Sequence, residues 1–143
     1  MSRIKIYKDS PTAGGTDGTL VSEGTGITPI ESGAIKVAET GYTEGNWIKL
    51  ALRCDAGFQT VLETARHAQV TIEGGAHVDK WQLAADNAGT PDTPMAWGAA
   101  LDFLSLIGAV NTIFWAKARV ADTEVASNDT TVGIKVSAVV GAV

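Results

Sequence analysis

Two runs in the last third of the chain constrain its fold more than any other feature. Residues 113–120 and 131–140 both alternate apolar with polar-tolerant positions, and the polar loop 121–130 joins them. A period of two marks a half-buried strand, because successive side chains of a strand point to opposite faces. In the first run Phe114, Ala116, Ala118 and Val120 share one face while Lys117 and Arg119 take the other. In the second, Val132, Ile134, Val136, Ala138 and Val140 oppose Thr131, Lys135 and Ser137. The pair reads as a closing antiparallel hairpin with one dry face. Trp115 falls with Lys117 and Arg119 rather than with Phe114, so an outward indole marks a contact surface or lies under the N-terminal segment. Trp115, Lys117, Arg119 and Lys135 are the candidate contact residues.

Further strand signals recur at residues 47–54, 68–73, 78–85 and 101–107, separated by turn clusters at 55–57, 73–75, 86–91 and 127–129. Short strands between Gly, Asn, Asp and Pro clusters predict an all-β protein, a two-sheet antiparallel sandwich or a barrel. Phe58, Val61, Leu62 and Ala65 fit helical spacing as well as a strand, and the window is too short to arbitrate. Residues 1–45 differ from the rest. Gly-rich loops at 11–18 and 22–26 flank short apolar pieces at 4–7, 19–21, 27–30 and 34–38, each long enough only for an edge strand. This predicts an extended Gly-rich N-terminal arm over 1–45 and a β-sandwich domain over 46–143. The arm loses much entropy on ordering and needs the body of the protein, or a neighbour, to fix it.

Length and charge narrow the function. A chain of 143 residues suits one domain with a sizeable core. Its formal net charge is −5, with Lys and Arg scattered, which gives no basic footprint for nucleic acid or an anionic membrane surface. No apolar run reaches signal-peptide or membrane-span length, so synthesis in the cytoplasm is expected. The single cysteine, Cys54, precludes an internal disulfide framework and shares a face with Ile48, Leu50 and Leu52, which predicts a buried, inert thiol.

Signs of chemistry are sparse. His77 and Asp79 have the i, i+2 spacing of one strand face, and His67 lies ten residues before His77, but no third ligand converges. Asp122, Glu124 and Asp129 offer oxygen ligands without the order of a calcium loop, so Asx-turns account for them better. No serine stands in Gly-x-Ser-x-Gly, and Gly24-Thr25-Gly26 lacks the remainder of a dinucleotide loop. No cofactor, metal or catalytic residue is therefore expected. A small hydrolase or isomerase would need convergent polar groups in a pocket, and none can be named. The tryptophans at 47, 81, 97 and 115 suit either core packing or, if several are outward, stacking on sugars.

The run 111–118 (Asn-Thr-Ile-Phe-Trp-Ala-Lys-Ala) and the run 127–136 (Ser-Asn-Asp-Thr-Thr-Val-Gly-Ile-Lys-Val) resemble the last two strands of Ig-like domains in phage and prophage virion proteins. With Trp81-Gln82-Leu83-Ala84 and the Gly-rich opening at 14–19, the chain resembles small prophage-encoded structural proteins of the head or tail. The resemblance implies an Ig-like β-sandwich, no catalytic residues, and a non-enzymatic role as head decoration or tail component, located in the virion. It implies partners among other virion proteins and copies of the chain itself. The arm over 1–45 and the outward Trp115 predict a homo-oligomer in which the arm lies across a neighbour or an exposed sheet edge. The alternative is a carbohydrate-binding module whose exposed aromatic residues stack on a glycan.

Overall fold

The computed structural model describes residues 3–21, 30, 35, 40–62, 67–73, 78–122 and 133–143. The strands are β1 (Ile4–Lys8), β2 (Thr19–Leu20), β3 (Tyr42–Glu44), β4 (Ile48–Cys54), β5 (Phe58–Thr60), β6 (Ala68–Glu73), β7 (Trp81–Asn87), β8 (Thr90–Pro91), β9 (Leu101–Phe103), β10 (Thr112–Ala121), β11 (Gly133–Ser137) and β12 (Val140–Ala142). A single 3₁₀ turn, Val78–Lys80, precedes β7, and the described residues contain no α-helix. The fold is all-β and its paired strands are antiparallel. No helix among the described residues is long and apolar enough to cross a membrane.

The principal sheet runs β2-β1-β4-β10-β7-β8, with β3 also paired to β10. A three-stranded sheet, β11-β6-β9, and the ribbon β12-β5 complete the architecture. One core joins the two larger sheets: Ile4, Ile6, Leu50, Leu52, Leu83 and Phe114 from the first meet Val70, Ile72, Leu101 and Phe103 from the second. Phe103 and Phe114 touch edge-to-face with ring centroids 5.8 Å apart, the arrangement their quadrupoles favour. Alternation set most of these faces, and β6 occupies the predicted residues 68–73 with Ala68, Val70 and Ile72 buried. Ile48, Ile134 and Val136 pack against the core partly buried, while Val132 lies outside the described residues. The cluster at 86–91 turns as expected: Ala88 and Gly89, both at positive φ, make a two-residue hairpin between β7 and β8.

Three expectations need correction. The runs 113–120 and 131–140 do not form a hairpin with each other: β10 pairs with β3, β4 and β7, whereas β11 pairs with β6. A strand has two hydrogen-bonding edges, and both edges of β10 are already filled by β4 and β7, so the following strand must join another sheet. The second run also breaks after Ser137, and its end, β12, leaves β6 for β5. The segment at 4–7 is no edge strand, because β1 lies between β2 and β4, with Ile4 and Ile6 only 2% and 5% exposed. The segment at 101–107 is a strand only as far as Phe103. At the ambiguous 58–66, Phe58–Thr60 is strand, and residues 63–66 lie outside the described set, as do most of 22–39.

Asn111 ties the Gly-rich loop at 11–18 to the body. Its Nδ2 donates to Thr12 O (3.0 Å), Asp17 O (3.2 Å) and Asp17 Oδ1 (2.9 Å), and its Oδ1 accepts from Arg53 Nη1 at 2.9 Å. Backbone bonds from Gly14 N to Asn111 O and from Asn111 N to Gly15 O close the joint. The body itself thus orders this loop.

Among the described residues two carboxyls sit below their ordinary range. The Lys5 hydrogen bond at 2.7 Å, aided by Arg3, lowers Asp55; the Thr12 backbone N–H, with its hydroxyl, lowers Asp17. A carboxyl depressed in the native state stabilises above its unfolded value, here 3.8, and that contribution disappears as pH falls through the lower native value. Thermal melts should therefore drop as pH is taken below 3.8. Asp55→Asn should lower the plateau at neutral pH and make the acid limb shallower, with a small effect because the pair is open to solvent.

Candidate functional site

The outer face of the principal sheet carries three of the four expected contact residues, Trp115, Lys117 and Arg119 of β10, and a change of register between β3 and β4 brings further side chains to them. Residues of β4 pair with β10 as Ala116↔Ile48, but those of β3 pair as Arg119↔Glu44. Residues 45–47 therefore span the interval that Lys117 and Ala118 span on β10, which is one residue too many and defines a β-bulge. Gly45 N donates to Ala118 O at 2.7 Å within it. The bulge inverts the alternation, so Trp47 and Lys49 on one side of it and Glu44 and Tyr42 on the other all reach the same face as Lys117 and Arg119.

The result is a ladder of cations between aromatic rings. Lys117 Nζ lies 4.5 Å from the Trp47 ring centroid and 5.6 Å from that of Trp97, and pairs with Glu44. The Arg119 guanidinium lies 3.8 Å from the Tyr42 centroid and 4.2 Å from that of Trp97, and its Nε donates to Asp79 O at 3.2 Å. Trp97 reaches the ladder from residues 92–98, which follow the free side of β7 through bonds to Ala85 O, Leu83 O and Trp81 O. Trp115 belongs to this face too: it is half-buried, and its Nε1 donates to Asp86 Oδ1 at 2.9 Å. Contacts of this kind hold β3 and the 92–98 segment onto β10. Lys135 is placed elsewhere, exposed on β11 in the other sheet, so the four candidate residues do not form one surface.

Beside the ladder lies a cleft of about 360 Å³ lined by Lys8, Asp9, Ser10, Ile30, Trp47, Ile48 and Lys49. Ile30 and Ile48 pack on the core beneath it. Asp9 and Ser10 both stand at positive φ, 64° and 56°. For non-glycine residues each such conformation costs roughly 1–2 kcal/mol, and the pair makes the sharp exit from β1 that lines the cleft.

A second surface was not legible from alternation. The segments Leu104 to Val110 and Ser137 to Val143 contain no charged side chain, in a chain that is 19% charged. Both flank β5: Thr60 N donates to Ile107 O, Val61 N to Val139 O and Val143 N to Gly57 O. Ile107 turns inward and is 1% exposed, and its N–H donates to Thr60 Oγ1 at 2.9 Å. Its neighbours turn outward. Leu104 is 74% exposed, Leu106 48%, Leu62 45% and Val139 40%, so the two uncharged segments and the chain just after β5 present large aliphatic side chains to solvent. The absence of charge over two whole segments was the available signal.

The remaining candidates carry less. Cys54 is buried, with Sγ 3.5 Å from Ile107 O, and burial together with the Asp55 charge pushes its thiol pKa up, so it stays protonated at neutral pH. His67 pairs with Asp102 at 3.2 Å, His77 lies outside the described residues, and so do Glu124 and Asp129. Among the described residues no three His, Cys, Asp or Glu side chains are grouped as a metal site requires, and no buried side-chain N or O lacks a partner. Comparison with protein-family models, with curated proteins and with solved structures found no match.

Proposed function

We propose that this protein is a non-enzymatic structural component that works by packing against copies of itself and against other members of an assembly. The observation that carries this reading is the pair of uncharged segments, 104–110 and 137–143, that flank β5, together with the exposure of Leu62, Leu104, Leu106 and Val139. Clustered exposed aliphatic side chains are unfavourable on a solitary protein and favourable in an interface core, from which charge is depleted. Uncharged segments also meet their own copies across a two-fold axis without like-charge repulsion, which makes a second copy of this chain the first partner. The resemblance of the strands to phage and prophage virion domains extends the proposal to an Ig-like β-sandwich serving as head decoration or tail component. The two-sheet core supports the sandwich part of that reading.

Leu104→Asp combined with Leu106→Asp tests it. Both side chains are exposed, so the fold should be little affected, and light scattering should show the variant at the monomer mass of 14.8 kDa where the parent is heavier. A variant that retains the parent's assembly state would overturn the proposed interface.

A further inference from the structure

We infer that the cleft between the β1 exit and the start of β4 binds an acidic saccharide, with Trp47 as the platform for the sugar ring and Lys49 as the partner of its carboxylate. Four observations support this. The cleft, at about 360 Å³, falls within the roughly 300–1,000 Å³ of small-ligand sites. Two of its lining residues, Ile48 of β4 and Ile30, pack against the core. Trp47 is held in place by the Lys117 ammonium 4.5 Å from its ring centroid, which leaves a fixed, half-buried indole at the edge of the cleft. Among the described residues the Lys49 ammonium has no hydrogen-bond or ion-pair partner, although Lys5, Lys117, Arg53 and Arg119 on the same face are all engaged.

The mixture of groups selects the ligand class. A polyanion such as nucleic acid would meet the Asp9 carboxylate beside the lysines, which is unfavourable. A saccharide uses that carboxylate, because its hydroxyls donate to Asp9 while Ser10 both donates and accepts. The apolar face of a pyranose suits the indole, and a uronate-type carboxylate supplies the charge that Lys49 lacks opposite it. The strained αL pair Asp9 and Ser10 lines the cleft where the ring substituents would lie.

Titration of the full chain with digalacturonate, followed by tryptophan fluorescence and calorimetry, tests the inference. Saturable binding with a Kd of about 1 mM or tighter is expected, and the dimethyl ester of the same disaccharide should bind about tenfold more weakly. Lys49→Gln should erase that difference while leaving weak binding of both, and Trp47→Ala should remove binding altogether. Ser10→Ala, exposed and remote from the ladder, should weaken both ligands and guards against a Trp47 variant that fails to fold. No saturation by either disaccharide would overturn the site. Equal binding of acid and ester would overturn the role of Lys49, and equal binding of an Asp- and Glu-rich peptide would overturn the saccharide assignment. The cleft and the uncharged segments flanking β5 share no residue, so Lys49→Gln should leave the oligomeric mass unchanged, and either reading can fail without the other.

Discussion

A chain shortened to begin at Thr43 is expected to lose its cooperative unfolding transition. The deletion removes β1, whose Ile4 and Ile6 are 2% and 5% exposed within the core, and strips the hydrogen-bonding edge of β4 from Arg53 to Ala51 of its partners Lys5 to Tyr7. Burial of each isoleucine contributes about 1.5–3 kcal/mol. The loss extends further, because the loop at 11–18 leaves with β1 and Asn111 Nδ2 exchanges its three acceptors for water. Each hydrogen bond so exchanged costs about 0.5–1.5 kcal/mol. These losses together approach the roughly 5–15 kcal/mol that separates folded from unfolded states in a domain of ordinary stability. Circular dichroism during heating should show a gradual slope in place of a sigmoid. A shortened chain that melts like the parent would show that β1 is dispensable, as an external arm would be.

Phe114→Ala should be the most damaging single substitution in the principal sheet. Phe114 is fully buried on the central strand β10, lies between Leu50 and Ala85 in the ladder, and meets Phe103 from the opposite sheet. Truncation leaves a cavity that two sheets and their cross-strand neighbours cannot collapse to fill, at a cost of about 3–5 kcal/mol. For a chain of this size the melting temperature should fall by about 10–20 °C. Lys135→Ala, on the exposed face of β11, should stay within about 0.5 kcal/mol of the parent. Similar midpoints for the two variants would contradict the assignment of inner and outer faces.

The contrast between these two positions shows what the sequence could and could not disclose. Alternation determines which side of a strand is dry, so Phe114 and Lys135 could be placed on faces without knowing any pairing. It says nothing about which strand lies alongside, and so the two terminal runs read as a hairpin although β10 had no edge left for β11. The same limit hid β1. Ile4-Lys5-Ile6-Tyr7 has the strand period, but the glycines that follow it outweighed that period, and only the fold reveals Asn111 holding the Gly-rich loop down. Trp115, Lys117 and Arg119 could be grouped because they share one strand. Tyr42, Glu44, Trp47 and Trp97 could not, since a bulge and an irregular segment bring them there and neither leaves a periodic trace. The cleft depends on a close approach between residues 8–10 and 47–49, which is a tertiary fact with no local signature.

Assembly through the uncharged segments that flank β5 is the central claim, and the mass of the unaltered chain in solution tests it most directly. Sedimentation equilibrium at high micromolar concentration should give a mass above the 14.8 kDa of one copy. That mass should change little when salt is raised from about 0.1 to 1 M, because the contact is aliphatic and screening acts on charges. A chain that remains at 14.8 kDa throughout, or whose association disappears in salt, would contradict the account.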